Sequence, residues 1–190
     1  MNLIVTDLAS RETASFKSVA AHEIEFAVGD CALGKVPGKV LVARSPTGVC
    51  AILFGSTAEE VEQDLAASFP GSRIVSNDRR LRADLTKILQ FIAVPRNPLE
   101  LDLDIRGTPF QRRVWDALRT IAIGKPLTYA QLARRVSGPK SLRAIAQACA
   151  ENPIALAIPC HRVMGSSGSM AGYRWGIERK QALINKEVAT

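Results

Sequence analysis

The first half of the chain alternates short apolar runs with turn-forming residues. Ile24-Glu25-Phe26-Ala27-Val28, Lys39-Val40-Leu41-Val42-Ala43 and Gly48-Val49-Cys50-Ala51-Ile52-Leu53-Phe54 have the length and composition of strands. Gly29-Asp30 and Pro37-Gly38 punctuate them, which predicts an antiparallel meander broken at those points. Ser56-Thr57 ahead of Ala58-Glu59-Glu60 predicts a helix with acids in its first turn, stopped by Pro70-Gly71. Ile74-Val75 predicts a short strand. Leu81, Leu85, Ile88, Leu89 and Ile92 recur at helical spacing over residues 79–93. The two prolines of Val94-Pro95-Arg96-Asn97-Pro98 end that helix and stiffen a linker. Leu99, Leu101, Leu103 and Ile105 then alternate with polar residues as one edge strand.

The second half patterns as helices. Thr108-Pro109 is an N-cap followed by proline at the first helical position, and Phe110, Val114, Trp115 and Leu118 form the apolar stripe behind it. Thr128 caps a helix containing Tyr129, Leu132, Ala133 and Val136, and a further helix runs from Ser141 to about Ala150. Joined by Ser137-Gly138-Pro139-Lys140, the pair has the outline of a helix-turn-helix. Residues 165–176 read as a Gly/Ser loop, and a last helix from Gly176 to Glu187 directs Ile177, Leu183 and Ile184 inward.

This order divides the chain into a tail (1–21), an α/β unit (22–93), a linker (94–104) and a mainly helical unit (105–190). Residues 1–22 lack the basic and long apolar regions of a secretory signal, and no apolar run approaches the roughly 20 residues a membrane helix needs. A flexible or loosely docked tail on a cytoplasmic, monomeric protein is expected, with no membrane partner.

Charge sharpens the division. Residues 1–95 carry 10 Lys/Arg against 11 Asp/Glu, whereas residues 96–190 carry 15 against 7, so the formal net charge of +7 resides in the second half. A polyanion partner explains this, and so does a solubilising surface. Cys31, Cys50, Cys149 and Cys160 form no C-x-x-C pair, and only His22 and His161 could join them. No zinc-ligand spacing results and no metal is expected; the thiols read as reduced. Cys31, Cys50 and Cys149 sit in apolar or Ala-rich surroundings, as small buried residues do.

Ile158-Pro159-Cys160-His161-Arg162-Val163 differs from these. A thiol attacks as thiolate, and an imidazole oriented by a carboxylate can remove its proton. Adjacency alone does not place the two side chains together, but the segment follows a helix-turn-helix in the basic half.

Pro159-Cys160-His161-Arg162-Val163 resembles the active-site motif of the O6-alkylguanine-DNA alkyltransferases. Asn152-Pro153 upstream, Gly172-Tyr173-Arg174-Trp175-Gly176 downstream, Thr128-Tyr129-Ala130-Gln131-Leu132-Ala133 and Gly107-Thr108-Pro109-Phe110-Gln111 are similar in the same order. The Tyr-Arg-Trp-Gly version looks most like the C-terminal repair domain of bacterial adaptive-response proteins. The resemblance covers residues 105–187; over residues 22–93 it rests on a ribonuclease-H-like order of elements.

The resemblance implies a two-domain α+β or α/β protein, with a small ribonuclease-H-like first domain and a winged-helix-like second domain. It implies a bacterial single-turnover repair protein that flips O6-methylguanine, and O4-methylthymine, out of double-stranded DNA through the minor groove, without a cofactor. Cys160 would accept the alkyl group. His161 would activate it through a bridging water, Glu187 would orient His161, and Asn152 would hold the active-site turn. Tyr129 would help extrude the base and donate a proton to the leaving guanine. Arg143 would fill the gap in the stack, on a helix whose Ala144, Gln147 and Ala148 approach the groove. Pro159, Val163, Tyr173 and Arg174 would form the substrate pocket, Arg174 narrowing it against larger alkyl groups. On spacing alone Glu187 and Arg143 read as solvated charges and Tyr129 as core. Competing readings are a non-catalytic lesion-binding protein, a winged-helix transcription regulator and a cysteine hydrolase.

Overall fold

The computed structural model describes residues 23–136, 142–166, 168–170 and 172–189. The expected tail (1–21) and the Ser137–Lys140 turn lie outside the described residues. The described chain is a mixed α/β structure with a four-stranded sheet, six helices and a small second sheet.

Strands β1 (Glu23–Leu33), β2 (Val36–Arg44) and β3 (Val49–Gly55) form the expected antiparallel meander. Helix α1 (Ala58–Ser68) follows, then β4 (Arg73–Ser76), which adds to β1 in parallel and completes the order β3-β2-β1-β4. Helix α2 (Asp78–Ala93) packs on this sheet. The caps are local: Thr57 accepts from the Glu60 N–H and Asn77 from that of Arg80.

Two strand expectations are corrected. Gly29-Asp30 and Pro37-Gly38 do not break the meander; they lie inside β1 and β2. The hairpin turns instead at Gly34-Lys35, where Gly34 adopts φ 64°. Pro37 lies beyond the Lys39–Gly55 end of the β2–β3 ladder, so its missing N–H deprives β3 of no partner. The second correction concerns residues 99–105, which make one β-bridge, from Leu103 to Val49, rather than a regular strand.

The reason is that two segments share the outer edge of β3. Val49 donates to the Asp102 carbonyl and accepts from the Asp104 N–H, at 2.7 and 2.9 Å. Ile52 donates to the Pro153 carbonyl and accepts from the Ala155 N–H, at 2.9 and 3.0 Å. All seven residues of β3 are buried. The strand therefore holds both the chain leaving α2 and the chain approaching Cys160.

The remaining elements are α3 (Pro109–Arg119), β5 (Leu127–Thr128), α4 (Tyr129–Arg135), α5 (Leu142–Ala150), β6 (Val163–Met164) and α6 (Ile177–Val188). A 3₁₀ turn, Cys160–Arg162, precedes β6, and β5 and β6 pair in parallel. Capping boxes at Thr108/Gln111 and Thr128/Gln131 start α3 and α4. Trp115, buried on α3, donates its indole N–H to the Ala148 carbonyl at 2.8 Å and fixes α5 against α3. Ile177 is corrected to exposed: the buried positions of α6 are Lys180, Leu183, Ile184 and Glu187, and Ile177 lies in the first turn, beyond the core's edge. Cys50 and Cys149 are buried as expected, whereas Cys31 is only half-buried.

Candidate active site

The turn from Asn152 to Arg162 carries the nucleophile candidate. Asn152 is wholly buried and organises it from within. Its Oδ1 accepts from the Ile154 N–H at 2.9 Å, and its Nδ2 donates to the Ile158 carbonyl at 2.8 Å. The same Nδ2 donates to Cys160 Sγ at 3.3 Å. Leu156 sits at φ 67°, a strained left-handed conformation for a leucine, within the loop that these bonds close.

Cys160 is 5% exposed. Burial pushes its thiol above the ordinary range, while the Asn152 hydrogen bond and the Lys180 charge pull it back. Beside it, His161 is fully buried, and its Nε2 lies 2.9 Å from Glu187 Oε1. Burial opposes ionisation of Glu187, but hydrogen bonds from His161 and Arg162 and their charges hold it at about 2. An ionised Glu187 accepts, so Nε2 bears the hydrogen and Nδ1 keeps its basic lone pair. Nδ1 has no hydrogen-bond partner among the described residues. Burial pushes His161 below its usual value, so the ring is neutral and able to take a proton.

Arg162 braces this pair. Its Nε and Nη2 donate to Glu187, and its Nη1 donates to the Ile121 carbonyl at 2.6 Å. Charge-assisted bonds of this kind suit a buried carboxylate, which would otherwise be costly.

Other expected residues gather near the sulfur. Burial raises Tyr129 to about 12 and Tyr173 well above 10, and Cys160 is close enough to add to both effects. A Cβ on Gly172 would lie 3.6 Å from the Tyr129 hydroxyl, so the downstream loop faces that side chain closely. Trp175 is buried behind the loop, edge-on to Tyr173 and to Phe54. Val163 is buried directly after the 3₁₀ turn. Pro159 lines a groove of about 670 Å³ with Ile121, Leu156 and Arg162. Arg174 lines a different one of about 430 Å³, with Asp64 and Trp175.

On α5, Arg143 and Gln147 are exposed and Ala144 is half-buried. Ala148 is corrected: it is 2% exposed, because the Trp115 bond turns that side of α5 into the core. Glu151, an acid on a surface expected to meet a polyanion, is taken up by Gln111 at 2.5 Å and Gln147 at 2.6 Å. Leu142 stands 52% exposed beside Arg143.

Lys180 escaped the sequence reading. It is fully buried on α6, its Nζ has no hydrogen-bond partner among the described residues, and Cys160 and Cys149 lie within electrostatic reach. Its signal was present: Lys180, Leu183, Ile184 and Glu187 follow the i, i+3, i+4, i+7 spacing of one helix face. Among the described residues no cluster of His, Cys, Asp and Glu could hold a metal, and no helix is long and apolar enough to cross a membrane.

Residues 109–189 match the family described as 6-O-methylguanine DNA methyltransferase, DNA binding domain. The methylated-DNA–protein-cysteine methyltransferase of Mycolicibacterium paratuberculosis is 40% identical over 58% of this chain and 67% of its own. The inducible Bacillus subtilis protein of that name is 36% identical over 68% of this chain and 72% of its own. The chain belongs to the methylated-DNA–protein-cysteine methyltransferase family. Another member, the bifunctional transcriptional activator/DNA repair enzyme Ada of Escherichia coli, is 42% identical over 86% of this chain. This methyltransferase-family chain spans 45% of that relative's length. Among solved structures, the Mycobacterium tuberculosis O6-methylguanine methyltransferase superposes with TM-score 0.72 at 29% identity, covering 87% of this chain and 93% of its own. The same organism's protein in complex with DNA gives 0.70 at 28%, over 88% and 93%.

Proposed function

We propose that this family member repairs DNA by direct reversal: it takes the alkyl group of an everted O6-alkylguanine irreversibly onto Cys160. The observation that carries the proposal is a buried thiol bonded by Asn152, followed directly in the chain by a buried His161 that Glu187 holds. O4-methylthymine, with the same alkyl ether, is a second substrate.

His161 Nδ1, acting through a bridging water, takes the Cys160 proton, and Glu187 stabilises the imidazolium that results. Lys180 supplies a positive charge in reach of the thiolate. Sulfur attacks the saturated carbon; the S–C bond forms as the C–O bond breaks, and the electron pair departs with guanine O6. Tyr129, in reach of Cys160, delivers a proton to the guanine ring. The product is a thioether, and none of the described residues is placed to cleave it, so each molecule acts once. The chemistry needs no metal or cofactor.

An alkyl group inside a duplex is beyond a side chain's reach, and eversion costs a few kcal/mol. Arg143, exposed on α5, fills the stack, while Gln147 and the small Ala144 allow a close approach to the minor groove. The net charge of +8 over residues 96–190 attracts phosphates. The protein works as a monomer in the bacterial cytoplasm. We place a boundary at residues 94–104, between a ribonuclease-H-like and a winged-helix-like unit.

Incubation with duplex DNA carrying O6-methylguanine tests this. A stoichiometric, saturating gain of one methyl on the Cys160 peptide is expected. Cys160→Ala should abolish the gain while sparing DNA binding. Tight lesion binding by the unaltered protein without mass gain would refute transfer and favour a non-catalytic lesion binder.

A further inference from the structure

The loop beside the sulfur is fastened to the other half of the chain. Arg174 Nη2 pairs with Asp64 on α1 and donates to Ser68 Oγ, one turn further, at 3.2 Å. The guanidinium also lies 5.7 Å from the Trp175 ring centroid. Arg179 completes the fastening, donating to the Trp175 carbonyl at 3.0 Å and to the Gly55 carbonyl at 3.1 Å. The Arg174 side chain is 25% exposed, and its charge reaches Cys160.

Building on the alkyl-transfer reading above, we propose that Asp64 and Ser68 are specificity-determining residues, acting through Arg174 to fix the width of the alkyl pocket. They touch no substrate; they position the wall. The peptide that carries Arg174 also carries Tyr173, whose hydroxyl is buried near Cys160, so displacement of one displaces the other. The same loop faces the Tyr129 hydroxyl at Gly172, so a benzyl group, bulkier than methyl, would press it outward and strain the Asp64–Arg174 pair and the Trp175 packing together. Helix α1 thereby acquires a part in substrate choice, although it carries none of the reacting groups.

The test compares transfer rates from duplex oligonucleotides carrying O6-methylguanine or O6-benzylguanine. Asp64→Ala should raise the benzyl-to-methyl rate ratio about three- to five-fold, the effect of losing one partly exposed ion pair. Ser68→Ala should shift it the same way, less strongly. Asp64→Glu, which keeps a carboxylate opposite Arg174, should leave the ratio nearer that of the unaltered protein. A loss of folding alone would slow both substrates equally; equal slowing, or an unchanged ratio, overturns the proposal. Failure of the unaltered protein to accept methyl at all would instead overturn the alkyl-transfer reading on which it rests.

Discussion

Asn152 Nδ2 lies 3.3 Å from Cys160 Sγ and 2.8 Å from the Ile158 carbonyl, so one amide holds both the nucleophile and the turn that presents it. Asn152→Ala takes away the acceptor of the buried Ile154 N–H, at a cost of about 1–3 kcal/mol. The denaturation midpoint should fall accordingly. Transfer by the folded fraction should slow at least ~10-fold, a loss of about 1.4 kcal/mol of transition-state stabilisation. An unchanged midpoint would remove the bracing role.

Glu187 gives the protein a defined acid sensitivity. Its folded value of about 2 lies below the ordinary 4.5, so its stabilisation is complete above 4.5 and is lost as the pH falls towards 2. His161 acts in the same direction, because its buried ring resists protonation and the unfolded chain takes up the proton first. Glu187→Gln leaves Arg162 buried without its counter-charge and should cost about 3–5 kcal/mol at neutral pH. It should also flatten the decline in stability between pH 4.5 and 2. Denaturation midpoints across that range provide the check; an equally steep acid decline in the variant would contradict the assignment.

Lys180→Met keeps the length and apolar stem of the side chain and removes its charge. Stability should hold or rise, since no hydrogen bond of Nζ is lost among the described residues. Transfer at neutral pH should drop about 10-fold and recover as the pH is raised, because the thiolate loses a favourable charge. A rate–pH profile that superimposes on that of the unaltered protein would exclude Lys180 from the chemistry.

Arg143→Ala should slow transfer from duplex DNA more than from single-stranded DNA, where no stack needs filling. Lesion binding should weaken only modestly at moderate salt. Equal transfer from the duplex by both proteins would end its assignment as the inserted residue.

Much of this was legible because the signals were local. The caps at Thr57, Thr108 and Thr128 lie where side-chain chemistry puts them. The Cys160-His161 segment was found from its motif, and Glu187 only from resemblance; the fold then placed Glu187 on His161 across 26 positions. What escaped was set by tertiary partners. The failure of residues 99–105 to form a strand depends on β3 being shared with residues 153–155. Burial of Ala148 follows from a tryptophan 33 positions away. Lys180 was passed over because a lysine on an apolar face is ordinarily assumed to reach solvent.

The shared margin of β3 also governs where the polypeptide can be divided. A fragment ending near residue 98 would retain β1 to β4 and α2 but forfeit the backbone of residues 102–104 and 153–155 that covers Val49 and Ile52. It would present unpaired amides and carbonyls along an entirely apolar strand, a template for self-association. The sulfur's neighbourhood is thus stitched into the sheet, and dissecting the halves would unmake both.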